Sequence, residues 1–162
     1  MQLPYPVRAA GQRLLGGVPV RIRGGVNRGR AWSLACLGRG YGSGRFGRDR
    51  LEALAALVRE GDVVWDVGAH KGFVALAASS MVGARGTVVA VEPAEVNLAF
   101  LRRHLAWNRL ENVRVVDAAL ADAPGAAAFG GTGSSVAFRI GVGPATVRVE
   151  TIERLVEAGL PP

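Results

Sequence analysis

Between residues 61 and 120 the apolar positions follow two alternating patterns. Residues 63–67 (VVWDV), 87–91 (TVVAV) and 113–117 (VRVVD) are short apolar runs rich in β-branched residues, as in strands buried on both faces. Between them, residues 71–82 and 94–107 are long enough for helices. In the second, Leu98, Leu101 and Leu105 share one face and Arg102 and Arg103 the other. This β-α-β-α-β order predicts a parallel sheet with right-handed crossovers, an α/β fold of the Rossmann-like kind.

The flanks are less regular. Residues 18–22 alternate Val20 and Ile22 with Arg21 and Arg23, which predicts a half-exposed strand. The glycine-rich stretch 38–48 has linker composition, yet Tyr41 and Phe46 point to a loop that packs. Residues 49–59 predict an amphipathic helix with Asp49 as N-cap, Gly61 as C-cap, and Leu51, Leu54, Leu57 and Val58 on one face. After residue 120, segments 126–130, 135–140 and 145–150 predict short strands in an antiparallel excursion, and 151–158 a helix. No second domain is evident, so 1–60 reads as a small basic β/α extension of a Rossmann-like domain over 61–162.

Hydrophobic content of 49% with 20% charged residues fits a globular domain rather than a disordered chain. No apolar run approaches the ~20 residues of a membrane span, and the start, with Arg8 and Arg13, lacks a signal-peptide core. The single cysteine, Cys36, excludes an internal disulfide and reads as a small buried hydrophobe. Together these suggest a cytoplasmic protein without a membrane partner. The net charge of +7 is unevenly spread: residues 1–60 hold 11 arginines and three acidic residues, whereas 61–162 hold 9 basic and 10 acidic residues. Lys71 is the only lysine, a skew that codon composition explains as well as phosphate contact does, so nucleic acid is not the expected partner.

The candidate chemistry centres on WDVGAHKGF, residues 65–73. A strand would deliver Asp66 to its carboxyl end, and Gly68 and Gly72 would bracket a tight turn into a helix, where open α/β sheets bind ligands. A dinucleotide fingerprint needs glycine two and five residues after Gly68, positions held here by His70 and Phe73, both too bulky. A turn of this kind behind an aspartate suits a phosphate-free ligand whose charged end is an amino-acid moiety, and S-adenosylmethionine has that form. The alternative is a plain strand-to-helix turn with Asp66 capping the helix. Glu92, ending the next strand, is placed for ribose hydroxyls, and its carboxylate would accept from both. Asp117, ending the third, would lie near an adenine edge, or is an ordinary surface turn residue. His104 reads as structural, and His70 as a donor to a ligand carboxylate. One cysteine and two distant histidines give no metal site, and Ser79, Ser80, Ser134 and Ser135 have no nearby base for hydrolase chemistry.

Taken in order, Asp66, Gly68, Ala69, His70 and Gly72, then Glu92, Pro93 and Asn97, then Asn108, Asn112 and Ala119-Leu120, with a later VRVETIERL, resemble the FkbM family of S-adenosylmethionine-dependent methyltransferases over about 61–155. The resemblance implies a class I methyltransferase fold and O-methylation of a small molecule or sugar hydroxyl. It further implies that Asp66 and the 68–72 turn hold the methionine part, Glu92 with Pro93 and Asn97 the ribose region, and Asp117 with Ala118 the adenine. Two departures stand out. Gly44-Arg45-Phe46 replaces a Tyr-Glu-like pair, and a strand similar to K-I-D-V-E-G does not follow the Thr-Ile-Glu segment. The expectation is therefore an incomplete sheet, an open edge at 63–67 available for self-association, an unidentified catalytic base, and weak binding with little turnover by the isolated chain. The rival expectations are a non-catalytic module that binds an adenosine ligand or a protein, and an RNA methyltransferase.

Overall fold

The computed structural model describes residues 14–131 and 138–162. Ser134, Ser135 and the first half of the 135–140 segment lie outside the described residues. The chain runs β1 (Pro19–Arg21), β2 (Ala31–Ser33), two short 3-10 turns (Leu34–Cys36 and Gly38–Gly40), α1 (Arg48–Leu57), β3 (Val63–Val67), α2 (Phe73–Val82), β4 (Thr87–Val91), α3 (Glu95–Trp107) and β5 (Val113–Val116). It continues with β6 (Ala119–Leu120), β7 (Gly125–Gly130), β8 (Arg139–Ile140), β9 (Ala145–Glu150) and α4 (Ile152–Glu157).

The central sheet is parallel in the order β3-β4-β5, with Val63 opposite Thr87 and Val88 opposite Val113, which makes the fold Rossmann-like. Strand side chains alternate between faces. Val64, Val88, Ala90, Val113 and Val115 meet α2 and α3, while Trp65, Val89, Val91 and Val116 meet Leu155 of α4 and Leu160. Both faces are thus covered, and the Trp65 indole N–H donates to the Pro161 carbonyl at 3.2 Å. The far side of β3 pairs with no strand among the described residues, and Val67 there is 57% exposed. The excursion forms a second sheet, β6-β9-β7-β8, in which β9 pairs antiparallel with β7 and parallel with β6. No described helix is long and apolar enough to cross a membrane.

Residues 14–60 share the main core instead of standing apart. Trp32 is fully buried, stacks on Tyr41 and His104, and meets the edge of Phe73, while Tyr41 stacks on Phe46. The glycine-rich 38–48 stretch is therefore a packed loop. A Cβ on Gly44 would collide with the Gly24 carbonyl, so glycine lets the two backbones cross. The expected helix at 49–59 is shifted to Arg48–Leu57, with Gly47 as N-cap and Asp49 in the first turn. It ends when Val58 becomes extended, three residues before Gly61, and Leu57 lies 77% exposed outside the expected apolar face.

His104 ties this N-terminal layer to the Rossmann-like core. The fully buried ring accepts the Ser33 amide on Nε2 at 3.0 Å and donates from Nδ1 to the Lys71 carbonyl at 2.7 Å, which fixes a neutral tautomer. Burial pushes its pKa down to about 4, as charging it would cost both its acceptor role and solvation. Asn108 extends the join by bonding both the amide and the carbonyl of Ala31, standing in for a neighbouring strand. We expect His104→Ala to lower unfolding free energy by about 3–5 kcal/mol in urea titrations, through the cavity and the orphaned Ser33 amide. Fast hydrogen exchange at Ser33 would accompany the loss; an unchanged midpoint would contradict this role.

Candidate functional site

The turn after β3 is built mainly from backbone constraints. Gly68 has φ +79°, and the amides of Gly68 and Ala69 both donate to the Val91 carbonyl at 2.9 Å, which docks the turn on the end of β4. His70 follows at φ +53°, an uncommon left-handed value for a residue with a side chain. Gly72 closes the turn at φ +87° and is the N-cap of α2; a Cβ there would lie 2.5 Å from Leu101 Cδ1. Glycine is thus required at 72 both for its dihedral and for the close approach of α3.

Glu92, at the end of β4, is 5% exposed and holds this arrangement in place. Its Oε2 accepts the His70 amide at 2.8 Å, and its Oε1 accepts the Ala94 amide at 2.9 Å and Asn97 Nδ2 at 3.0 Å. One carboxylate therefore joins the 68–72 turn to the start of α3. A carboxylate offers about four acceptor positions. Three are taken, which leaves one for a ligand hydroxyl instead of the two the sequence suggested.

Asp66, on β3, faces the N-terminus of α2. Burial pushes its pKa up to about 6, the Ala75 amide pulls it down, Glu92 repels it upward, and Arg50 pulls weakly down. Its Oδ2 is buried without a hydrogen-bond partner. Two carboxylates thus converge at the carboxyl ends of adjacent parallel strands, one of them incompletely satisfied.

Beside them opens a cleft of about 310 Å³, at the small end of the range for small-molecule sites. Of the residues expected from sequence, Gly68, His70, Glu92, Pro93 and Ala118 line it. Ala69, Gly72 and Asn97 are buried supports beneath the wall, and Asp66 also stands behind it. Asp117 is not brought to the cleft: its exposed carboxylate turns to Arg102 of α3 at 3.4 Å. The opposite wall comes from Phe129, Phe138, Arg139 and Ile140 of the excursion, which sequence reasoning did not assign to a site. The signal available for them was two phenylalanines flanking a glycine-rich turn. Among the described residues no group of three or more His, Cys, Asp or Glu side chains is arranged to hold a metal ion.

No known family profile and no curated protein matches the chain. Solved structures similar to it include a putative methyltransferase from Escherichia coli, 25% identical, with a TM-score of 0.47 over 62% of this chain and 53% of that one. A putative rRNA-methylase from Clostridium thermocellum is 22% identical, with a TM-score of 0.43 over 44% of this chain and 39% of that one. A SAM-dependent methyltransferase from Aquifex aeolicus is 29% identical, with a TM-score of 0.38 over 42% of this chain and 36% of that one. The chain spans well under two thirds of the length of each.

The shifted groups make a prediction about stability. Asp66 has its pKa raised in the fold, so protonation stabilises the protein as pH falls from about 6 towards 3.8. His104 has its pKa lowered, so stability is lost as pH falls from 6.5 towards about 4, where the unfolded chain takes up the proton first. The two offset each other in the native protein. Asp66→Asn should raise stability at pH 7, by at most about 3 kcal/mol, and uncover a steep loss below pH 6.5 in urea unfolding. A variant no more stable at pH 7, or one with the native pH profile, would contradict the assignment.

Proposed function

We propose that the cleft binds S-adenosylmethionine and that the chain carries the cofactor-binding elements of a methyltransferase of the FkbM type, acting on a hydroxyl of a small molecule or sugar. The observation that carries this reading is the convergence of Asp66 and Glu92 around a left-handed glycine turn at the ends of β3 and β4. Their mutual repulsion is relieved by a ligand bearing positive charge, and Asp66, behind the cleft wall, adds negative charge on that side.

The residues present fit that cofactor by its parts. Asp66 supplies negative charge for the ammonium end. The His70 imidazole on the cleft wall can donate to the carboxylate, and the remaining acceptor position of Glu92 takes one ribose hydroxyl. Pro93, Ala118, Ala119, Leu120 and Phe129 form an apolar shelf for the base. When bound, the cofactor supplies a methyl group on a positively charged sulfur. The protein's contribution is to orient that ligand and keep water from it, with Phe129 and Phe138 closing the far wall.

Titration calorimetry with S-adenosylhomocysteine tests the reading. One-site binding is expected, weakened at least about tenfold in Glu92→Ala through loss of both the brace and the hydroxyl acceptor. Below pH 6 the affinity should fall, because Asp66 must lose its proton to attract the ammonium from behind the wall, and Asp66→Asn should remove that dependence. A chain with a folded circular-dichroism spectrum and no heat of binding would reject the proposal.

A further inference from the structure

A second cleft lies at the other end of the sheet, among the amino ends of β4 and β5 and the C-terminal end of α2. It is about 520 Å³ and contains Thr87, the first residue of β4, whereas Glu92 at the cofactor cleft follows the last. At ~3.3 Å per strand residue the two clefts are about 16 Å apart. Four guanidinium groups border it, from Arg30, Arg85, Arg109 and Arg114, against a single lining carboxylate, Glu111.

Arg85, Arg109 and Arg114 are exposed and Arg30 is half-buried, and two local observations bear on what the cluster does. Arginines near a helix C-terminus commonly offset its exposed carbonyls. Here Asn112 serves two carbonyls at that end: its Nδ2 donates to the Ser79 carbonyl at 3.1 Å and the Gly83 carbonyl at 2.9 Å, and its Oδ1 accepts the Ser79 hydroxyl at 2.6 Å. Arg30 is steadied by a bond to the Ser80 hydroxyl, and Arg85 pairs at the rim with the exposed Glu60. Arg109 and Arg114 have no ion pair among the described residues.

Arg109 is the second observation. Its amide bonds the Ala106 carbonyl at 3.1 Å and the Leu110 amide bonds the Leu105 carbonyl at 3.1 Å, the paired bonds of a Schellman helix end. In that motif the residue after the cap is left-handed, and glycine is favoured; here an arginine sits at φ +52°. The backbone carries a strained residue whose side chain lines the cleft, as at ligand clamps.

The geometry points to a second binding site, separate from the cofactor cleft, for a phosphate-bearing small molecule. Guanidinium groups match phosphate oxygens in paired hydrogen bonds, and four around one polar cleft supply more positive charge than a monoanion neutralises. At about 520 Å³ the cleft has room for a compact phosphoryl or diphosphoryl group. This assignment is independent of what the cofactor cleft binds.

Calorimetry on the full chain with inorganic pyrophosphate at low ionic strength tests it, using Arg109→Gly and Arg114→Gln. Arg109→Gly places the favoured residue at a left-handed position, so the fold and melting temperature should be unchanged or improved. We expect saturable one-site binding, weakened at least about tenfold by either substitution, with S-adenosylhomocysteine affinity unaffected. Absence of saturable pyrophosphate binding, or equal affinity in the native protein and Arg109→Gly, would overturn the proposal. So would a single-stranded RNA that binds through Arg109 while pyrophosphate does not, an outcome marking a nucleic-acid surface.

Discussion

The Glu92 carboxylate joins the turn after β3 to the first turn of α3 by three hydrogen bonds, and the shape of the cleft follows from it. The turn is also held to β4 through the Val91 carbonyl and contains a histidine in a left-handed conformation. A buried carboxylate is costly unless its oxygens are satisfied, and here backbone amides and Asn97 satisfy them. Asn97 therefore belongs to the site as a support: it is fully buried beneath Glu92 and aims its side-chain N–H at the same oxygen.

A second join lets the turn keep its place. The Lys71 carbonyl, inside the turn, accepts from His104, whose other nitrogen receives the Ser33 amide of the N-terminal layer. The basic segment ahead of the Rossmann-like elements thus acts as a wall against which the turn and α3 are packed, with Trp32 stacked on the same imidazole. Asn27 adds to it by donating to the Phe73 carbonyl in the first turn of α2 at 2.8 Å. The net effect is a packed back to a cleft whose front wall, from Phe129, Phe138, Arg139 and Ile140, comes mainly from the separate small sheet.

The strands and helices from 63 to 116 were legible because fully apolar runs and a leucine face are local patterns. So were Gly68, His70 and Glu92 as neighbours, since the ends of consecutive parallel strands meet by topology alone. What was not legible depends on partners distant in sequence. The role of Asp117 was decided by Arg102, fifteen residues earlier, which α3 sets beside it. The pairing of β6 with β9 spans the whole excursion, and the far wall of the cleft follows from it. The helix α1 stops short of the apolar pattern through Leu57 and Val58 because Val58 leaves it to lead into β3, a tertiary demand that outweighs that pattern. The engagement of Glu92 within the protein leaves no mark in the sequence, because the amides that bond it belong to backbone, which carries no residue-type signal beyond Asn97.

Hydrogen exchange at the His70 amide tests the central claim most directly, since that N–H is donated to Glu92. Slow exchange is predicted in the native protein, accelerated at least about tenfold in Glu92→Ala, and slowed further in the native protein by added S-adenosylhomocysteine. Equal exchange in the two proteins, or a native rate untouched by the ligand, would contradict the account.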